Sequence, residues 1–310
     1  DGSTPNKSFI TLNAAVNYYL SNYNDASITN SYTIEVLDSD SYVLGATLII
    51  PNYVTIKASN NDIYGKIVLG DGSKVWLKNH YPKTNQDTPL VSKNSIYTTS
   101  YYKADVLDTR GSGGTLNIVS GIISSGSTGQ MFIDVKKIYA TTFGIGAQGG
   151  TLNGHIHLNV EDLYISQNGG IGIRTEGAST TSIVGYVHHI IESGPFLNCT
   201  AFELAGGRIS VISTQIICDT LGYIVSPSSK LDLVCPYIQV TTNFSTDLGN
   251  ESYIDFLSKN IISSTSHSRF ISGLTVSHLN AITLSGGTIF SGDVDVSTYF
   301  NSTNALIGSG

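Results

Sequence analysis

Charge is what this sequence has least of. Only 13% of its 310 residues are Asp, Glu, Lys or Arg, and they balance at −7. The 16 basic residues are too few and too scattered to follow a phosphate backbone, which argues against a nucleic-acid partner. No run of eighteen apolar residues occurs, so no membrane-inserted helix is expected. The three cysteines, Cys199, Cys218 and Cys235, match no metal-ligand spacing, and their odd number argues against a disulfide framework. Buried thiols are the expectation, with no metal and no cofactor. The single methionine is Met131, and the chain opens on "DGSTPNKS" with no signal-peptide pattern, as expected of a processed chain or of a segment of a longer one.

What is abundant is Gly, at 32 residues, together with Ser, Thr and Asn, a usage suited to many short strands and tight turns. One early stretch is helical in pattern. In "SFITLNAAVNYYLSNYN", Phe9, Leu12, Val16, Tyr19 and Leu20 share a face, and Ser8 is placed to cap it. Beyond it, "YTIEVLDS", "ATLIIPNYVTIKAS" and "GKIVLGDGSKVWLK" read as strands broken by Asn, Asp, Gly and Pro.

The chain then repeats. Apolar positions at 0, +2, +4 and +7 recur as Met131-Ile133-Val135-Ile138, Ile156-Leu158-Val160-Leu163, Ile183-Gly185-Val187-Ile190 and Ile209-Val211-Ser213-Ile216. Leu231-Leu233-Cys235-Ile238, Ile254-Phe256-Ser258-Ile261 and Leu274-Val276-His278-Ala281 continue the series, with starts 20 to 27 residues apart. Positions 0 to +4 alternate as a strand with one buried face. The odd step to +7 requires a corner at +5 and +6, and Pro236 suits such a corner. One unit cannot bury its own apolar face, whereas stacked units can. The fold predicted is all-β: a right-handed, single-stranded parallel β-helix with a short N-terminal capping helix. A leucine-rich repeat has a similar period, but its Leu-rich consensus is missing. One elongated domain over 1–310 is expected, with a cap at 1–25, first coils at 26–79, an insertion or long loop at 80–112, and regular coils at 113–310. Leu116-Ile118-Ser120-Ile123 also fits the template, but only 15 residues before the next copy, and "DVDVSTYF" holds a faint one.

Residues 8–58 carry a resemblance. "SFITLNAAVNYYL", followed by "YTIEVLDSDSYVLGATLIIPNYVTIKAS", resembles the opening of right-handed β-helix proteins of the pectin-lyase-like superfamily. There a capping helix F-x-T-L-x-x-A precedes a first coil ending in I-P-x-x-V-T-I. The superfamily includes pectate lyases, pectinesterases, polygalacturonases, and viral and phage tailspikes and fibres. The plant-cell-wall enzyme motifs are absent: "DSYVL" has no Glu after Tyr42, "VWLKNH" puts Lys78 and Asn79 where a lyase motif has its carboxylate, and "NGHIH" keeps only Gly154-His155 of a polygalacturonase motif. The virion branch fits the composition better. That resemblance implies a tailspike- or fibre-like virion protein, homotrimeric, at the virion surface or extracellular. Its partners would be other virion proteins and host-surface polysaccharide. A polysaccharide lyase or glycoside hydrolase on the same fold, and a bacterial surface adhesin, remain alternatives.

The chemistry-bearing residues fall on the coils. Corner positions are Lys136-Lys137, then Glu161-Asp162, then His188-His189, then Thr214-Gln215. Stacking puts Glu161 and Asp162 one coil below His188 and His189, a carboxylate–imidazole arrangement suited to general acid–base catalysis. The same column also suits a solvated edge of alternating charge, each pair worth about 0.2–1 kcal/mol. His155 and His157 sit at −1 and +1, facing outward and away from the corner. Arg174, Glu176 and Glu203, with Glu192, are candidates for a carbohydrate-binding groove on following strands. The 18 tyrosines offer surfaces on which sugar rings could stack.

Overall fold

The structure is a computed structural model that describes residues 9–290, except 83–88, 93–97, 111–116, 120–127, 142, 149–152, 177–180, 195–197, 225–228, 236, 247–252, 258–259, 264–266, 271–273, 278–280 and 285–286. Side-chain burial is described only as far as residue 239, with further gaps. A helix, Leu12–Asn22, opens the fold. Thr11 rather than Ser8 caps it, its hydroxyl accepting from the Ala14 N–H at 3.1 Å. Leu12, Ala15, Val16 and Tyr19 are buried, while Phe9 and Leu20, expected on the same face, are 37% and 42% exposed. Phe9 precedes the helix and packs on the Tyr18 ring, centres 5.2 Å apart, while Ala15 joins Leu12, Val16 and Tyr19 on the inward stripe.

After the helix the chain is a parallel β-solenoid. Long strands stack coil on coil: Val54–Tyr64 on Lys74–Tyr81, then Thr99–Asp108, Thr128–Ala140, Asn153–Ile165 and Ser182–Glu192. Arg208–Ile212, Lys230–Val234, Tyr253–Leu257 and Leu274–Ser277 continue the first arm of these strands. Shorter strands build a further side. Leu48–Ile50, Ile67–Leu69 and Leu90–Ser92 form one set; Asn117–Val119, Phe143–Gln148, Ile171–Glu176 and Thr200–Ala205 form another, which meets the far end of Gln215–Ile224.

The repeat template gives the register. Met131 pairs with Ile156, Ile156 with Ile183, Ile183 with Ile209, Ile209 with Leu231, Leu231 with Ile254, and Ile254 with Leu274. The first five of these side chains are fully buried. Each such burial contributes about 1.5–3 kcal/mol over an exposed position. The corner at +5 and +6 is a bend inside one strand: the ladder pairs Val135 with Val160 and Lys137 with Asp162 but omits Lys136–Glu161, and the next coil likewise omits Glu161–His188. That skipped pair returns Leu163 and Ile190 to the interior, both with no exposure. Ser258 and His278 lie outside the described residues.

Two expectations change. The stretch 80–112 contains coil strands, Leu90–Ser92 and Thr99–Asp108, instead of forming a single loop leaving the coil. Ser100, Tyr102, Ala104 and Leu107 occupy the four inward positions there, and Ser73, Val75, Leu77 and His80 occupy them one coil earlier. Polar side chains at those positions hide the pattern. Ser73 and Ser100 meet their hydrogen-bonding needs inside, both donating to the Gly70 carbonyl at 2.9 and 2.8 Å. Ile118 is not a template copy: it pairs with Ala147, on the side built from short strands. Leu116, Ser120, Ile123 and "DVDVSTYF" lie outside the described residues. Cys199, Cys218 and Cys235 are buried, as read from the sequence.

Candidate functional site

The corner column assembles in part. His189 Nδ1 lies 2.7 Å from Asp162 Oδ1. A carboxylate only accepts, so Nδ1–H donates and a neutral His189 keeps its lone pair on Nε2. Asp162 is buried and also accepts from the Tyr164 hydroxyl at 3.2 Å. His188 sits edge-on to His189, ring centres 4.1 Å apart, and its Nδ1 hydrogen-bonds the Tyr186 hydroxyl. Glu161 is exposed and makes no pair with Lys136, whose ammonium instead meets Asp105 at 2.7 Å. Glu161 and His188 do share a shallow depression of about 300 Å³ with Asp134, Lys136, Asn159 and Tyr186.

The depression is poorly fitted to glycoside hydrolysis. That reaction uses two carboxyl groups, one of them protonated at working pH by an apolar setting. Here Asp134 is tied to Lys103 at 2.6 Å and accepts from Asn159 at 2.9 Å, while Glu161 is bathed in solvent. Asp162, the carboxylate that is buried, is engaged with His189.

Arg174, Glu176 and Glu203 converge as expected. Arg174 Nε is 2.9 Å from Glu203 Oε1, an ion-pair contact in which the N–H is not aimed along a hydrogen bond. Its terminal nitrogen is 3.4 Å from Glu176, and the guanidinium lies over the Phe143 ring at 4.6 Å. Burial raises the Glu203 carboxyl, the Arg174 charge pulls it back, and Glu176 adds repulsion. Arg174 is shared between two carboxylates, so its charge is spent within the trio.

Glu192 does not join that trio. It meets Cys199 and Asp219, and donor atoms of the three lie within 4.8 Å of one another. Burial, and then the Asp219 charge, push Glu192 up to about 7. Burial pushes the Cys199 thiol up to about 12. Asp219 accepts the Cys199 backbone N–H at 3.1 Å, and the thiol donates to the Gln167 carbonyl at 3.2 Å. A thiolate and two carboxylates could hold a borderline divalent cation, but these hydrogen bonds already satisfy the thiol and one carboxylate. The separation of Glu192 from Arg174 reflects the bend of the chain after Glu192, which the sequence does not locate.

His155 and His157 are half-buried rather than free on the surface. His155 Nδ1 is 2.6 Å from the Ser182 hydroxyl. His157 ends a row of rings that sequence reading missed. Tyr101 stacks on Phe132 at 5.4 Å and 11°, and Phe132 stacks on His157 at 4.4 Å and 10°. Burial lowers both imidazoles, and His155 lowers His157 further. Tyr101 and Phe132 stay 40% exposed, so the row is a ridge of stacked rings whose edges reach the surface. A signal existed: each is the residue just after the first template position in its coil. It was hidden because Tyr101 falls in the stretch expected to be an insertion.

With fold and site in view, the class defined is a parallel β-solenoid, and the likeness to known proteins ends there: the chain matches no family model, no curated protein and no solved structure. Among the described residues no helix is long and apolar enough to cross a membrane.

Proposed function

We propose that this chain is a rigid docking surface for extended polysaccharide, of the kind used by virion spikes and fibres to engage a host surface. The observation that carries the reading is the Tyr101–Phe132–His157 row: parallel, stacked rings on successive coils, the first two 40% exposed. The stacked rings cover one another's faces and leave their edges in water, an apolar ridge that the C–H groups of a pyranose can cover. The strand ladders hold the backbone beneath each ring and each ring rests on its neighbour, so binding orders little. A virion location, other virion proteins as neighbours and a trimeric state belong to the same proposal. Their support is the resemblance of residues 8–58 to the pectin-lyase-like superfamily, together with a composition rich in Ser, Thr, Asn and Gly that suits its virion branch.

The test is retention on immobilised host polysaccharide. Phe132→Ala should weaken retention about tenfold while leaving the circular dichroism and melting temperature near wild type. Unchanged retention would sink the reading. Mass measurement in solution separates the rivals: a trimer supports a spike, and a monomer supports an adhesin. A second reading, a polysaccharide lyase, does not need the pair of carboxyl groups that glycoside hydrolysis uses, and its candidate site is the depression that holds Glu161 and His188. It requires released reducing or unsaturated sugar, abolished by Glu161→Gln.

A further inference from the structure

The aromatic strip does not stop at Tyr101. On the same column, Thr55 pairs with Lys74 and Lys74 with Tyr101, so the line Thr55–Lys74–Tyr101–Phe132–His157 runs straight along the solenoid. Its first three members floor a groove of about 410 Å³, whose wall includes Ile28, Tyr53 and Thr99. The volume is in the range of small-molecule sites. Lys74 reaches over the Tyr101 ring, its ammonium 5.4 Å from the ring centre, and it is exposed. Among the described lining residues it carries the only charge; Asp71, next to Gly72, accepts from the Thr98 hydroxyl at 2.9 Å.

Tyr53 is held there in an unusual way. Its backbone is left-handed, with φ +57°, a conformation that a bulky residue rarely adopts. One coil on, Gly72 is also left-handed at φ +60°, and a Cβ there would come within 2.6 Å of the Tyr53 ring. The missing side chain leaves room for the ring to lie against the next coil. The Tyr53 N–H is fixed on the Asp71 carbonyl at 2.7 Å. Asn or Gly would occupy this backbone without strain, so a tyrosine here has a use for its ring.

We infer that this groove is a binding site for an acidic pyranose, its ring resting on Tyr53 and against the edge of Tyr101 and its carboxylate on Lys74. The site rests on the polysaccharide reading above and adds to it: the occupant is a uronic-acid-type sugar, and the chain of sugars continues from it along Phe132 and His157. The hydroxyls of Thr55 and Thr99 supply partners for the sugar's own hydroxyls.

The probe is a set of glucuronic-acid-containing oligosaccharides and their carboxyl-reduced forms, followed by saturation-transfer NMR and by titration on the intact chain. The acidic form should bind about tenfold more tightly than the reduced form, and its advantage should shrink with added salt. Lys74→Gln should erase the difference between the two forms. Tyr53→Asn should lower affinity about tenfold while the melting temperature holds or rises, since Asn accepts the left-handed backbone. A Tyr53 that serves packing alone would give the reverse: a lower melting temperature and unchanged binding. Equal binding of acidic and reduced forms overturns the site. Phe132→Ala separates the two ideas. If it weakens retention while Tyr53→Asn and Lys74→Gln do not, the groove assignment fails and the docking strip stands. If none of the three matters, both fail.

Discussion

His80 fills the inward position that Leu107, Ile138, Leu163 and Ile190 fill on later coils, and it does so with no access to water. Its Nε2 is 2.8 Å from the Gly65 carbonyl and its Nδ1 is 2.9 Å from the Tyr102 hydroxyl. A carbonyl only accepts, so Nε2 carries the proton and Nδ1 of the neutral ring accepts from Tyr102. Burial pushes this imidazole from 6.5 down to about 4, against a smaller raising effect of the Gly65 carbonyl. Between those two values the unfolded chain binds a proton that the folded chain refuses, so stability is lost as pH falls from 6.5 to 4 and levels below. The span is worth roughly 3 kcal/mol. Denaturant midpoints across that window should fall in the wild type and flatten in His80→Gln; parallel curves would refute it. Glu192 behaves with the opposite sign. Its folded-state value is raised from 4.5 to about 7, so its neutral form is favoured by the fold and stability is lost as pH rises through 7. Glu192→Gln should therefore melt at a higher temperature than wild type at pH 8 and differ little at pH 4, as thermal scans at the two values will show.

The bent strand is the element that makes a coil, and its bend depends on one unpaired residue. Glu161 is skipped by the ladders on both sides, so its side chain matters little to the fold while its backbone matters greatly. Glu161→Ala should change stability by no more than about 0.5 kcal/mol. Deleting Glu161 should instead unfold the coil, because the even step it leaves from Val160 to Leu163 suits a straight strand, removes the corner and shortens this coil against its two neighbours. If calorimetry finds the deletion as stable as the alanine variant, the corner is misassigned. Gly185 is the second critical point: its φ is +139°, and a Cβ there would meet the Leu158 carbonyl oxygen at 2.2 Å. Gly185→Ala should cost more than about 1 kcal/mol, read by denaturant titration. The sequence makes the strand and its corner legible, because alternation followed by an odd step has one geometric solution. It also shows Asp162 one coil from His189, since equal positions stack. It conceals the coils carrying Ser73, His80, Ser100 and Tyr102, where internal hydrogen bonds replace apolar contact. It conceals the ring strip and the Tyr53 groove too, because both depend on where one coil lies over the next and on a left-handed backbone.

At the scale of the molecule, the solenoid is a one-dimensional stack. Asn153–Ile165 pairs with Thr128–Ala140 on one side and Ser182–Glu192 on the other, and the buried column passes through all three. Energy in such a stack is a sum of coil terms and nearest-neighbour terms. Side chains on adjacent coils share packing, so truncating both removes atoms that would each have rested on the other. Ile156 and Ile183 are such neighbours, whereas Val75 lies several coils from Ile183 and pairs with Tyr102. Double-mutant cycles with alanine should give a coupling of about 0.5 kcal/mol or more for Ile156 with Ile183, and additivity within about 0.5 kcal/mol for Val75 with Ile183. Equal coupling at both separations would mean that the stack responds as one cooperative body. The rigidity assigned to the docking surface would then come from global cooperativity and not from the ladder beneath each ring.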